Sequence, residues 1–395
     1  WSFTSDSFKQ IVKEYADHGF PLDVMVMDMG WHLNSVPPEH KDKNIDTWTG
    51  FTWDKALIPE PAGLIAWMHG QGLHVTLNDH PAAGMQPHEE MYAAFMRDMG
   101  EDPASGKTIP FDAGSKNYLD TFLTHAHAPR EREGVDFWWL DWQQYQKTRS
   151  IPDLDNLQAL NWAYYRRTED DGRRGVSFSR WAGWGDHRYP IHFSGDADVG
   201  WPMLAAEVPF TSTAGNVGCF FWSHDIGGHQ GGRNEESYAR WCQFGALSAA
   251  LRSHSTMDAQ TDRRPWNYPD WAEASMKESF GLRSRLMPYL YTSIRQSTLD
   301  SVPFIRPLYI DFPNVEKAYH QSQQFLFGDH LLVAPIASAG VGPNRVASQS
   351  VYFPPGDDAW FDFFTGERFN GGEHAIASCP IDTFPLYVRG DDLVG

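Results

Sequence analysis

Two aspartates are the centre of the chemistry this sequence suggests. Asp141 closes the run Val135-Asp136-Phe137-Trp138-Trp139-Leu140, and Trp142-Gln143-Gln144 follow it. Asp196 closes His192-Phe193-Ser194-Gly195. A short, bulky apolar run reads as a strand buried on both faces. An ionisable group at the end of such a strand reads as the floor of a site. Paired carboxylates suit cleavage of a glycosidic bond. One, ionised, attacks the anomeric carbon or stabilises its positive charge; the other, protonated, donates to the leaving oxygen. Phe193, Gly195 and Trp201 flank Asp196, and the charge of Asp141 nearby would further disfavour its ionisation, as a general acid needs. Arg180 could hold Asp196 or the substrate by charge-assisted hydrogen bonds. Plainer readings stand beside these. Asp141 could cap a following helix, Asp196 could be a turn residue in Ser-Gly-Asp, and His224-Asp225 could be a satisfied loop pair.

A second chemistry competes. His80, His224, His229 and His254 with Asp28, Asp79 and Asp225 could make the metal site of a barrel hydrolase. The chain has no His-x-His at a strand end and no His-Glu-x-x-His. No metal and no cofactor are therefore expected.

The elements that must position these groups alternate. Helical patterns cover 5–18, 61–70, 87–99, 115–128, 156–167, 199–210, 235–250 and 276–295, with Ser5 or Asp6 as the expected cap of the first. Strand patterns cover 21–28, 73–79, 135–140, 175–180, 192–196 and 217–222, with a further one expected near His254. Alternation over about 290 residues means a parallel sheet, open or closed. No Gly-x-Gly-x-x-Gly turn follows an early strand, so the dinucleotide-binding fold lacks its fingerprint. Asp28, Asp79, Asp141, Arg180, Asp196 and Asp225 all sit at C-terminal strand ends. In a (β/α)8 barrel those ends converge on the face that builds the active site. The expected fold is therefore an α/β (β/α)8 TIM barrel, its first strand upstream of Trp1, over residues 1–300. Beyond it, 305–310, 324–327, 331–334, 350–353, 360–364 and 386–389 are short strand-like runs separated by Gly, Pro and Asp. They predict an all-β sandwich domain over 301–395.

Composition sets the outer bounds. The 395 residues are 41% hydrophobic and 21% charged, ordinary for a globular protein. The net charge of −19 argues against nucleic acid and anionic membrane surfaces as partners. The 17 tryptophans offer apolar faces for sugar rings, though most should serve the core. Cys219, Cys242 and Cys379 show neither zinc spacing nor a disulfide framework. No apolar run reaches membrane-span length.

These residues resemble glycoside hydrolase family 31. The matching pieces include Pro21-Leu-Asp-Val-Met-Val-Met-Asp28, Phe51-Thr-Trp-Asp54, Trp138-Trp-Leu-Asp141, Phe193-Ser-Gly-Asp196 and Asp225-Ile-Gly-Gly228. Further along come Arg252-Ser-His254, Pro288-Tyr-Leu-Tyr291, Gly328-Asp-His-Leu-Leu-Val-Ala-Pro335 and Trp360-Phe-Asp-Phe-Phe-Thr-Gly-Glu367, in the family's order. The resemblance implies a retaining, exo-acting α-glycosidase with a covalent glycosyl-enzyme intermediate and carboxylates about 5–5.5 Å apart. It implies Asp141 as nucleophile and Asp196 as acid/base. Asp28, Arg180 and His254 would bind sugar hydroxyls, Trp139 and Trp222 would form walls, and Asp225 would be an acid at the rim. The implied partner is an oligosaccharide or glycoconjugate.

The chain departs from the family's α-glucosidase pattern. Trp142-Gln143-Gln144 replaces Met-Asn-Glu, Met29-Gly30 follows Asp28 in place of Ile-acid, His229 replaces an aromatic, and Ala197 replaces Asn. Asp-Trp-Gln-Gln resembles the branch acting on α-linked N-acetylgalactosamine. The expected activity is thus α-N-acetylgalactosaminidase or α-galactosidase-like. The alternatives are an α-glucosidase or α-xylosidase and, from another class, an inactive carbohydrate-binding relative. The resemblance also places a β-sandwich and a first barrel strand before Trp1 and a β-domain after Gly395. A barrel short of one strand has two unpaired edges, so this piece is expected to fold poorly alone.

Overall fold

A computed structural model describes residues 2–40, 45–141, 147–169, 172–180, 183–356 and 358–390. The chain divides into two compact units, residues 1–17 with 22–191 and residues 18–21 with 192–395.

The first unit opens on α1 (Ser5–Asp17). Thr4 caps this helix, one residue before the expected cap. Thr4 Oγ1 accepts from the Ser7 N–H at 3.2 Å and Ser7 Oγ accepts from the Thr4 N–H at 2.6 Å, a reciprocal arrangement of the capping-box kind. Four parallel strands follow in spatial order: β1 (Val24–Met27), β2 (His74–Asp79), β3 (Phe137–Leu140) and β4 (Phe178–Ser179). Between them run α2 (Pro61–Gly70), α3 (Tyr92–Asp98), α4 (Lys116–Phe122), α5 (Ala128–Arg132) and α6 (Asn156–Glu169). The helices cover one face of the sheet. Met27, Val75, Leu77, Trp138 and Leu140 point to them and join Phe95, Phe122, Leu160 and Tyr164 in one core. A π-helical turn, Leu123–His127, lies between α4 and α5 and presents His127 to Trp138, with ring centroids 3.8 Å apart.

In the second unit β5 (His192–Phe193) and β6 (Trp222–Ser223) pair in parallel, with α7 (Trp201–Ala214) between them in sequence and α8 (Glu235–Ala246) after. The strand expected at 217–222 starts late, because residues 215–217 form a 3₁₀ turn and Gly218 has φ +85°. The expected helix over 276–295 is two helices, α9 (Asp270–Arg285) and α10 (Met287–Asp300). Pro288 has no N–H to continue the first, and it sits in the first turn of the second, where none is needed. The strand expected near His254 is present as bridges: Ser223 pairs with Ala250 and Ile226 with Ser253, both parallel.

Beyond residue 300 the strands are antiparallel. β7 (Ile305–Arg306), β8 (Phe325–Phe327), β9 (Leu331–Val333), β11 (Trp360–Asp362), β12 (Arg368–Phe369) and β14 (Leu386–Arg389) form one sheet, ordered β12-β11-β14-β9-β8-β7. β10 (Ala347–Tyr352) and β13 (His374–Cys379) form a second. Leu326, Leu332, Val351, Phe353, Trp360 and Tyr387 fill the core. Pro307 ends β7, and residues 308–311 form a short helix, α11 (Leu308–Asp311), where a strand was expected.

Candidate active site

Register positions the groups around Asp141. Leu140 of β3 pairs with Asp79 of β2 on one side and with Ser179 of β4 on the other. One residue further along, Asp141 therefore falls between His80 and Arg180. Arg180 grips one oxygen: its Nε and Nη2 each lie 2.9 Å from Asp141 Oδ1. Asn78 Nδ2 donates to Oδ2 at 3.1 Å, and His80 Nε2 stands 3.6 Å from the same oxygen. Asn78 is itself fixed, since its backbone carbonyl accepts from Trp31 Nε1 at 2.8 Å. Asp141 is only 9% exposed, so these donors replace most of its water. Donors of this kind favour the charged form of a carboxylate.

Strand alternation sorts the neighbours. Trp139 lies two residues before Asp141 and shares its face, buried against Phe178 with centroids 6.1 Å apart. Asp79 lies on the opposite face from Asn78 and His80. Its Oδ2 is 2.9 Å from His127 Nε2 and accepts from the Tyr164 hydroxyl. Both partners come from the helical layer, so Asp79 anchors helices to the sheet. It is no member of the face where strand-end acids were expected to converge. Burial and the charge of Asp79 push the Tyr164 hydroxyl well above its ordinary pKa. Asp28 is half-buried and caps a 3₁₀ turn, its Oδ1 accepting from the Met29 N–H at 2.7 Å. Trp142-Gln143-Gln144 lie outside the described residues.

The second unit holds the other expected groups. Asp196 follows β5 and is exposed, so the desolvation expected from its apolar neighbours is not what it experiences. Phe193 instead stacks under the Arg252 guanidinium, 4.8 Å from the ring centroid. Trp222 and His224 share the face of β6 that meets α7. Trp222 packs edge-on against Phe210, 5.0 Å away, and stacks on His192, which is core packing. His224 is fully buried. Its Nδ1 lies 2.6 Å from Glu207 Oε2 and 2.9 Å from Ser194 Oγ, and its Nε2 meets Thr211.

Asp225 points to the opposite face, fully buried, with Arg252 on Oδ1. Burial pushes this carboxyl up, but Arg252, His254 and His229 outweigh it and hold it below the usual range. Gly227 and Gly228, with φ of +96° and +85°, turn the chain back so that His229 faces Asp225. Burial pulls the His229 imidazole down, yet Asp225 and the charge of Asp196 hold it above its ordinary value. One ligand atom from each of Asp225, His229 and His254 lies within 4.8 Å of the other two, the one group of possible metal ligands among the described residues. The other histidines and acids weighed for a metal site are not in it. Asn78, His80 and Arg252 were absent from the expected site, although alternation in Thr76-Leu77-Asn78-Asp79-His80 already separates Asn78 and His80 from Asp79.

Residues 1–293 match the glycosyl hydrolases family 31 TIM-barrel domain, and residues 301–394 match the glycosyl hydrolase family 31 C-terminal domain. An α-xylosidase of Saccharolobus solfataricus is 24% identical over 98% of this chain and 53% of its own length. A probable glucan 1,3-α-glucosidase of Oryza sativa is 26% identical over 96% of this chain and 43% of its own. The chain thus spans about half the length of the curated relatives it matches. The crystal structure of a family 31 α-xylosidase from a soil metagenome, complexed with xylose, superposes with a TM-score of 0.80 at 26% identity. It covers all of this chain and 62% of that one. The parallel strands described above are therefore those of a TIM barrel, followed by a β-rich domain.

Proposed function

Because the chain belongs to glycosyl hydrolase family 31, we propose that it is the catalytic part of a retaining, exo-acting α-glycosidase with Asp141 as nucleophile and Asp196 as acid/base. The observation that carries this reading is the setting of Asp141. It ends a buried strand, and a guanidinium and an amide hold its oxygens apart in one orientation. A nucleophile must be charged and aimed before the sugar arrives. Arg180 and Asn78 supply both conditions. Once the glycosyl ester forms, Asp141 loses its charge and the same donors stay in place. They thus assist its return as a leaving group.

Asp196 would protonate the leaving oxygen and then deprotonate the attacking water. Its exposure suits that second step, which needs water at the carboxylate. Asp28, Arg180, Asp225 and His254 would bind sugar hydroxyls, with Trp139 packed behind the nucleophile. Trp222 is left out, since its ring meets α7.

On substrate, the relatives favour α-xylosides and α-glucosides over an α-N-acetylgalactosaminide, because they are an α-xylosidase and α-glucosidases. The N-acetylgalactosamine reading rests on Trp142-Gln143-Gln144 and on the smaller or neutral groups around the subsite, which would make room for a 2-acetamido group. A panel of aryl α-glycosides (xylose, glucose, galactose, N-acetylgalactosamine) tested on the full-length protein decides. Turnover of the xyloside or glucoside at least about tenfold above the others in kcat/KM supports this reading. Preference for the N-acetylgalactosaminide restores the other, and binding without turnover of any would mark a carbohydrate-binding relative.

A further inference from the structure

We propose that Asp225, His229 and His254 form a site for one divalent transition-metal ion of the zinc class, bound at the rim of the sugar site and outside the catalytic steps. The donors are two imidazoles and one carboxylate. That set suits Zn²⁺, Co²⁺ or Cu²⁺, and is poor for Mg²⁺ or Ca²⁺, which take oxygen ligands.

The framework is built before any ion arrives. The His229 backbone is held on both sides: its N–H donates to the Ala197 carbonyl at 2.7 Å, and its carbonyl accepts from the Thr256 N–H at 2.9 Å. Arg263 Nη2 fixes the turn that delivers it, donating to the carbonyls of Gly227 and Gly228 at 2.9 and 2.6 Å. His254 follows Arg252, whose carbonyl accepts from the Ile226 N–H at 3.1 Å. The His229 and His254 rings lie 5.1 Å apart between centroids.

The atoms facing inward are what point to a ligand. Asp225 is fully buried and Arg252 occupies its Oδ1, which leaves Oδ2 toward His229. Oδ2 and His229 Nδ1 face each other 3.3 Å apart as a buried ion pair, and no group outside the cluster hydrogen-bonds either atom. A carboxylate oxygen and an imidazole nitrogen at this spacing fit one ion, which would take the place of the proton between them. Zinc bonds of ~2.0–2.1 Å place tetrahedral ligand atoms roughly 3.4 Å apart. The third ligand atom, on His254, lies within 4.8 Å of the other two. Three protein ligands leave a fourth position open. Arg252 sets a limit: its positive charge beside Asp225 makes this a weaker site than a structural zinc centre.

The test is titration of the full-length protein, free of any histidine tag, with Zn²⁺ and Co²⁺ against a chromophoric chelator. One ion should bind per chain, and His229→Phe and His254→Ala should each lower affinity at least about tenfold, while the exposed His320→Ala changes nothing. The Co²⁺ spectrum of the unaltered protein gives a second readout that needs no variant. Intense visible bands of a four-coordinate site are expected, and the weak spectrum of hexaaquo Co²⁺ would overturn the site. Binding left intact in both histidine variants would overturn it too. Zinc should also raise the apparent KM for an aryl α-glycoside with kcat unchanged. That consequence rests on the glycosidase reading. Noncompetitive inhibition beside intact binding would refute overlap with the sugar site and leave the ligand set established.

Discussion

Arg180 holds Asp141 by two nitrogens on one oxygen, Nε and Nη2 each 2.9 Å from Oδ1. The contact follows from the parallel register of β3 and β4, which pairs Leu140 with Ser179 and leaves the next residue of each strand side by side. Both side chains are buried, so the pair works in a medium that screens it little.

Arg180→Gln should therefore affect both activity and stability. Removing one partner of a buried pair leaves the other uncompensated, at a cost of about 3 kcal/mol. The nucleophile also loses its orientation, so kcat should fall at least about 100-fold. Chemical denaturation and steady-state kinetics on one preparation check the two effects. A variant with unchanged kcat would show that Arg180 does not serve the nucleophile.

Asp196→Ala separates the two carboxylates by leaving group. Aryl glycosides with acidic phenols need little protonation, so glycosylation of the variant should remain fast on them. Alkyl glycosides should lose about 10²–10⁴-fold. Azide should rescue turnover where deglycosylation becomes limiting. Equal losses across leaving groups would move the acid/base role to another residue.

How much of this was legible in the sequence varies from residue to residue. The buried strand ending on Asp141 was plain from its apolar run, and the alternation of strand and helix announced a parallel sheet. Register was not legible. No local pattern says that Arg180 will lie beside Asp141, because pairing depends on how whole strands slide into place. Facing is legible in strand alternation: Asp79 shares a strand end with Asn78 and His80 and points the other way. β13 leaves no mark of this kind, because its side chains alternate between exposed and half-buried and form no apolar run. The cap of α1 fell one residue away, as helix ends commonly do.

Glu89 predicts a pH dependence of stability unrelated to catalysis. It is 4% exposed. Burial pushes its carboxyl up from 4.5 to about 7, against hydrogen bonds from Thr52 and Phe51 and with Glu90 and Arg130 nearby. His88, 3.4 Å away, is driven down to about 4 by burial and by His40. A carboxyl raised in the folded state stabilises below its unfolded pKa, and that contribution is lost as pH rises. Between pH 4.5 and about 7, wild type should lose about 3 kcal/mol relative to Glu89→Gln. Denaturant titrations of both proteins at several pH values check this, and parallel stability curves would contradict it.

Gly228→Ala tests the turn that delivers His229. The residue has φ +85°, and an added Cβ would stand 2.7 Å from both the N and Cα of Val199, which are backbone atoms with little room to yield. The loss should be about 2–4 kcal/mol from combined strain and overlap. Thermal unfolding reads it out, and a variant as stable as wild type would mean the turn relaxes freely.

The most direct test of the central claim is covalent trapping with a 5-fluoro-α-glycosyl fluoride of the preferred sugar, followed by mass spectrometry of the digested protein. One glycosyl group per chain is expected, on the peptide containing Asp141 and on that side chain. A label on any other carboxylate, or inactivation without a covalent adduct, would contradict it.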